Sequence, residues 1–295
     1  MINRLKILIT IVVLLIFFSG CIEKGAKNIR EPLALEDETA ASSNKIRQIF
    51  YNIYLPTEMS RLFDRVGANY YPNILNSADN ISRYSTPHQI ALVIGLYGVD
   101  MSYTRIFDQA AATAKYFSTI YLLSEKLGIP SSYFQNILDA MEKYHDDKDS
   151  LTKLAGNIYE MADKFLKENE KDSYAALIVL GGWIEALYIA AKISEANPEN
   201  MEIMDRIAEQ KYSLNNLISL LSNYQDDLSI TEDLLMLKQL KKSFDKFEIY
   251  YNQGNFNVDT VNKLISTKEY VIDVSPEIIS EIGAIISEIR MGIVN

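Results

Sequence analysis

Asp100 and Glu185 are the side chains of this sequence best placed to do chemistry, because each stands in an otherwise apolar stretch. A carboxylate withdrawn from water must be paired, hydrogen-bonded or protonated. Tyr97 and Tyr103 lie three positions to either side of Asp100, and Tyr188 lies three after Glu185. On a helix that spacing shares a face, so the phenols can supply hydrogen bonds to the acids. Three roles fit such a group. It can bind a ligand in a polar pocket at the centre of a bundle. It can act as an acid–base pair, provided both carboxylates face one cleft within about 10 Å. Or it can be a structural network that fixes helix register.

Other patterns fall short of complete sites. Glu142-Lys-Tyr-His145 is half of a di-iron signature, which needs a second E-x-x-H and two further Glu. The only other histidine, His88, has Ser85 three positions before it, so the second half is missing. His145 instead suits the negative end of a helix. The run Asp146-Asp147-Lys148-Asp149 lacks the Gly and Glu positions of a calcium loop, and Asp149 or Ser150 reads as a helix cap. With two His and one Cys, a Cys/His structural zinc site and an internal disulfide are excluded. No G-x-S-x-G elbow and no phosphate-cradling glycine loop is present. No metal and no cofactor is therefore expected. A formal net charge of -10 gives no footprint for nucleic acid. The 19 tyrosines fall largely beside core positions, where the ring packs and the hydroxyl reaches water.

The single cysteine speaks to location. Arg4 and Lys6 form a short positive start, and residues 7–18 follow with Thr10 as their one polar member. A bilayer core needs roughly 20 apolar residues in helix, so this run has the length of a secretory leader and not of a good span. Phe18-Ser19-Gly20-Cys21 resembles a bacterial lipobox, with Phe18 where Leu is usual. The resemblance implies cleavage after Gly20 and a thioether-linked diacylglycerol on Cys21. Two or three acyl chains would make a stable attachment, at about 0.8 kcal/mol per buried methylene. Residues 22–44 are rich in charge and small residues and read as a tether with a reach of roughly 25 Å. The expected organisation is a signal peptide at 1–20, a tether at 21–44 and one helical domain at 45–295. Ile22 directly after Cys21 favours passage to the outer membrane, and the lack of an acidic run there favours its periplasmic face.

The elements that must hold Asp100 and Glu185 are helices. Thr86-Pro87-His88-Gln89 combines an N-cap, Pro at the first helical position and Gln at N3. Asn197-Pro198-Glu199 and Ser275-Pro276-Glu277 repeat the cap-then-Pro arrangement, and Ser229 to Glu232 forms an S-x-x-E box. Leu127-Gly128-Ile129-Pro130 is a helix stop, and Gly67 can close an earlier helix. Between these marks apolar residues recur at three and four, as in Leu234, Leu237, Leu240, Phe244, Phe247 and Tyr251. The punctuation predicts helices at 45–55, 57–66, 87–104, 106–127, 131–145, 151–168, 173–196, 198–223, 231–252 and 276–292. Residues 254–274 are left as a short helix or an extended piece. The fold class is all-α, a bundle of about nine to ten helices.

Residues 175–191 differ from the amphipathic helices. Glu185 is their one charge, and a helix apolar all round is either buried or in lipid. The central Glu and the Gly181-Gly182 pair make insertion costly, so a buried central helix is expected. A weak internal duplication accompanies it. Ala91-Leu92, Asp100 and Tyr103 precede Ala176-Leu177, Glu185 and Tyr188 by 85 positions. Gly95 and Gly98 in one copy and Gly181 and Gly182 in the other suggest two helices meeting at glycine notches.

Several of these elements together resemble an uncharacterised helical lipoprotein family of Bacteroidetes over roughly residues 54–290. They are Tyr84-Ser85-Thr86, the stretch from Gly95 through Gly98 and Asp100 to Tyr103, Leu127-Gly128-Ile129, Asp149-Ser150-Leu151 and Gly181-Gly182-Trp183-Ile184-Glu185-Ala186-Leu187-Tyr188. The resemblance implies location and fold and brings no activity. Imelysin-like envelope lipoproteins are also all-α and duplicated, but their G-x-H-x-x-E is absent, since Trp183 stands where His belongs. The sequence thus points to a lipid-anchored envelope protein that binds or scaffolds without catalysis, attached to the membrane through Cys21. A periplasmic sensor or carrier with a central pocket is the first alternative, and a carboxylate-dependent enzyme the second.

Overall fold

A computed structural model describes residues 67–130, 168, 171–251, 256–259, 264–267 and 270–295. All of them lie within one compact unit, 39–295. Two 3-10 turns, Pro72–Ile74 and Ala78–Arg83, lead into the first helix. The helices are α1 (Pro87–Ile106), α2 (Ala110–Leu127), α3 (Asp172–Ala196), α4 (Met201–Leu221), α5 (Leu228–Phe244) and α6 (Pro276–Val294). Four short strands separate α5 from α6: β1 (Ile249–Tyr251), β2 (Phe256–Asp259), β3 (Leu264–Thr267) and β4 (Tyr270–Ile272).

The chain is mostly helical, and its capping chemistry explains where the helices begin and end. Thr86 accepts a hydrogen bond from the Gln89 backbone N–H at 3.2 Å, satisfying a donor that α1 itself cannot pair. Gly128 ends α2 with φ +82, a left-handed conformation that costs other residues a Cβ clash. The backbone N–H of Ile129 then reaches back to the Ser124 carbonyl at 3.0 Å. Gly67 also adopts a positive φ, +62. The Pro276 start of α6 lies where the sequence places it.

Helix α3 is the centre of the bundle. It is long and apolar enough to cross a membrane, yet it lies mostly buried within the protein. Its widest contact is with α1, while α6 and α4 flank it; α2 folds back on α1, and α5 bridges α4 and α6. The α1–α3 approach is set by glycine. A Cβ on Gly95 would fall on the Ile178 carbonyl oxygen, and one on Gly181 would fall on the Leu92 carbonyl oxygen, each at 1.9 Å. The two backbones therefore touch where side chains are missing. Gly98, grouped with these by its spacing, meets nothing within 4 Å and takes no part in the notch. Trp183 on α3 is fully buried, and its indole N–H donates to the Gln210 side-chain oxygen of α4 at 3.1 Å.

Several boundaries differ from the sequence expectation. The helix expected over 231–252 stops at Phe244, and the residues from Ile249 turn extended. Phe247 remains in the core although it is no longer helical, so the apolar spacing reads true for burial and false for conformation. The β-branched and aromatic Ile249-Tyr250-Tyr251 favours a strand, and β1 pairs antiparallel with β4, with Ile249 opposite Ile272. Strands β2 and β3 form a second antiparallel ladder nested between them in sequence. The described residues within 254–274 thus take the extended alternative; the strands are short, and the described chain stays mostly helical, as the all-α expectation has it.

Two start signals also move. Asn197 donates back to the Ile193 carbonyl at 2.8 Å and so closes α3, whereas Asn200 caps α4 by accepting from Ile203 N–H at 3.2 Å. Asp227, and not Ser229, caps α5, accepting from Ser229 N–H at 2.9 Å. Helix α2 begins at Ala110 and not at 106, because α1 runs to Ile106 and Asp108 turns the chain with φ 55. The signal segment with Gly20 and Cys21, the tether, Glu142 and His145, the acidic run, the helices expected at 45–55, 57–66 and 131–145, and nearly all of that at 151–168 fall outside the described residues.

Candidate functional site: a buried acid–acid–guanidinium cluster

Asp100 and Glu185 come together. The glycine notch brings α1 against α3, and both carboxyl groups point into the seam with no accessible surface. The partner of Glu185 is Arg290 of α6, itself buried. Its Nε donates to Glu185 Oε2 at 2.6 Å and its Nη2 to Glu185 Oε1 at 2.8 Å, a two-pronged pair of the strong kind. Nη2 also donates to the Ile74 carbonyl at 3.0 Å. The guanidinium lies over the Tyr188 ring, 4.2 Å from its centroid.

Asp100 is held from the other side by the segment that precedes α1. Its Oδ2 accepts from the Asn76 backbone N–H at 3.2 Å. Asn76 spends all its polar groups here. Its Nδ2 donates to the Tyr84 hydroxyl at 2.8 Å, and its Oδ1 accepts from Asn80 at 2.8 Å. Its carbonyl accepts from the Tyr116 hydroxyl of α2 at 2.9 Å. Four parts of the chain (residues 74–84, α1, α3 and α6) thus close on one polar core, with α2 reaching in through Tyr116.

The tyrosines singled out by spacing lie at this core but do other work. The Tyr97 hydroxyl donates to the Ser77 carbonyl at 2.8 Å. The Tyr103 hydroxyl accepts from Tyr71 N–H at 3.1 Å and donates to the Asn69 carbonyl at 3.4 Å. Both brace the backbone before α1. Tyr188 contributes the face of its ring to Arg290.

Burial raises the Asp100 carboxyl well above the ordinary carboxylate range, and the Glu185 charge pushes the same way. Burial raises Glu185 as well, opposed by the hydrogen bonds and charge of Arg290. The Tyr97 and Tyr116 phenols are raised too, chiefly by burial.

Asn76, Tyr84, Tyr116 and Arg290 were not singled out from sequence as site residues, although Tyr84 stands in one of the elements that carry the resemblance. Arg290 carries a readable signal: it follows Ile282 and Ile286 at helical spacing, so it is a charge on an isoleucine stripe. That is the same pattern that marked Asp100 and Glu185. Asn76 has no such signal.

A third buried acid, Asp233, ties α1 to α5. His88 Nε2 lies 2.7 Å from Asp233 Oδ2, with the Asp233 side chain only 4% exposed. The hydrogen bond to Asp233 holds the imidazole above its ordinary value. For a group so raised, the added stability is full below the unfolded value of about 6.5 and fades as pH climbs through the folded one. His88→Gln keeps a donor and removes the charge. It is expected to cost about 1 kcal/mol near pH 6 and much less near pH 9, read from urea midpoints. A gap that stays constant with pH contradicts this assignment.

What the acid cluster can do follows from its geometry. Both Glu185 oxygens are engaged by Arg290, and neither acid meets solvent, so the arrangement positions helices and offers no open acid or base. Among the described residues, no three of His, Cys, Asp and Glu converge as a metal would require. Comparison of the chain with family models, with curated proteins and with solved structures gives no match in any of the three.

Proposed function

We propose that this chain is a lipid-anchored bacterial envelope protein, related to the helical lipoproteins of Bacteroidetes that it resembles, and that it serves as a non-catalytic binding or scaffold component. The observation that carries the reading is the closure of the Asp100–Glu185–Arg290 cluster. The carboxyls that the sequence offers for acid–base work or ligand binding are closed off: Arg290 engages both oxygens of Glu185, and Asn76 holds one oxygen of Asp100. A carrier or enzyme built on them needs a path from solvent, and both have zero accessible surface.

Attachment is assigned to the lipid on Cys21 and not to α3. Helix α3 has the length and hydropathy of a span, but its flanks are covered by α1, α4 and α6, and its Glu185 is paired inside the protein. The mature body carries 27 basic against 39 acidic groups once Arg4 and Lys6 are removed with the leader. Such a body is repelled by anionic lipid, which leaves the acyl chains to hold it at the periplasmic face of the outer membrane. Cys21→Ser is expected to release the body from membranes or to leave an unprocessed precursor, read by fractionation and mass spectrometry of the N-terminal peptide. Normal processing with unchanged membrane retention overturns the anchor.

A further inference from the structure

The core holds more acid than base. Asp100, Glu185 and Arg290 are withdrawn from water together, and Arg290 is paired with Glu185 while its charge acts on Asp100. Arg290 is committed to both oxygens of Glu185. Asp100 Oδ2 has the Asn76 N–H, while Asp100 Oδ1 is buried with no donor to accept from. Asp100 and Glu185 also act on each other directly: the Glu185 charge and a bond between the two acids raise Asp100, and that bond lowers Glu185. Two carboxyl groups so placed repel if both acids are ionised and bond if one carries a hydrogen.

We propose that Asp100 is protonated at neutral pH and donates its hydrogen to Glu185, so that the seam of α1, α3 and α6 is held by a neutral carboxyl, a carboxylate and a guanidinium in series. The hydrogen sits on Asp100 because Arg290 stabilises the ionised form of Glu185 directly. The cluster then has no net charge, and the orphaned oxygen becomes a donor. The other titratable groups facing Asp100 are the phenols of Tyr70, Tyr97 and Tyr116, each raised first of all by burial. Alkali removes the shared hydrogen and leaves two like charges against one cation, which makes the seam an alkali-sensitive latch.

The sign is fixed by linkage. A folded value above the unfolded one of about 3.9 gives stability that is complete below that pH and is lost as pH rises through the folded value. Asp100→Asn keeps a donor toward Glu185 and cannot lose it to alkali. In the full chain, held in detergent, the infrared difference between wild type and Asp100→Asn at neutral pH is expected to show the carbonyl band of one un-ionised carboxylic acid. The unfolding constant of wild type should climb relative to Asp100→Asn by up to about tenfold per pH unit until the folded value is passed. Glu185→Gln leaves one acid facing one guanidinium, so the band should vanish there too. If Asp100→Asn does not fold, the wild-type band and its disappearance on alkaline titration decide the matter. A wild type without the band, a band that survives in Asp100→Asn, or parallel pH curves overturns the proposal.

Discussion

Arg290→Met is expected to cost about 3–5 kcal/mol of folding stability, the range for removing one partner of a buried ion pair. The substitution keeps the length and most of the volume of the side chain, so the loss comes from charge and not from a hole. Glu185 would lose both of the bonds that Arg290 donates and the Ile74 carbonyl would lose one. Glu185 can answer only by taking up a proton, which sets an upper bound on the damage and makes the deficit grow with pH. The check is the urea midpoint at constant slope. Glu185→Gln added to Arg290→Met should restore part of the loss, because an amide needs no cation; a double-mutant cycle reads this coupling. A single-variant loss below about 1 kcal/mol would place the pair at a wetter site than the burial of Arg290 and Glu185 describes.

Gly95→Ala and Gly181→Ala carry the second large effect, and here helix propensity and packing predict opposite signs. In a helix interior, Gly→Ala gains about 1 kcal/mol by propensity. At Gly95 and Gly181 the new methyl carbon would sit 1.9 Å from a backbone carbonyl oxygen of the facing helix. A backbone cannot rotate aside as a side chain can, so α1 and α3 must move apart along the whole seam that positions Asp100 and Glu185. Overpacking of this kind costs about 1–3 kcal/mol and more where backbone is the obstacle. Gly98→Ala on the same helix is the control: nothing lies within 4 Å of its added carbon, so the propensity gain should survive there. Thermal midpoints should fall for the first two variants and hold or rise for the third. Equal responses at Gly95 and Gly98 would refute the close approach.

The helices whose ends depend on stereochemistry were legible in the sequence. Pro87 behind Thr86 and Gly128 behind Leu127 fix backbone angles locally, so their readings hold without knowledge of the fold. The central helix was legible for a related reason: a stretch without a polar face leaves burial or lipid as its only environments. The transition at Phe244 was not. Phe244 and Phe247 are both buried, and a spacing of three fits a helix as well as a chain bending over the same core. Only the tertiary arrangement separates the two.

The site shows the same division. Asp100 and Glu185 were legible because an acid amid apolar residues is conspicuous at any level of structure. Arg290 was passed over because the isoleucines around it were read as a stripe and the exception to the stripe was not. Asn76 was illegible on principle. Its importance is the sum of hydrogen bonds to Tyr84 and Asp100 and from Asn80 and Tyr116, up to 40 residues away, and no local pattern encodes that sum.

The Arg290–Glu185 contact joins positions 105 apart, and Arg290–Ile74 joins positions 216 apart. Closing loops of that size is entropically slow, and local pairs such as α1 with α2 form far sooner. Without α6 in place, α3 has an acid at its middle that lacks its guanidinium. That interim acid guards against a wrong turn: the helix is greasy enough to dissolve in a bilayer, and an ionised glutamate at its midpoint makes dissolution expensive while the rightful partner is still arriving.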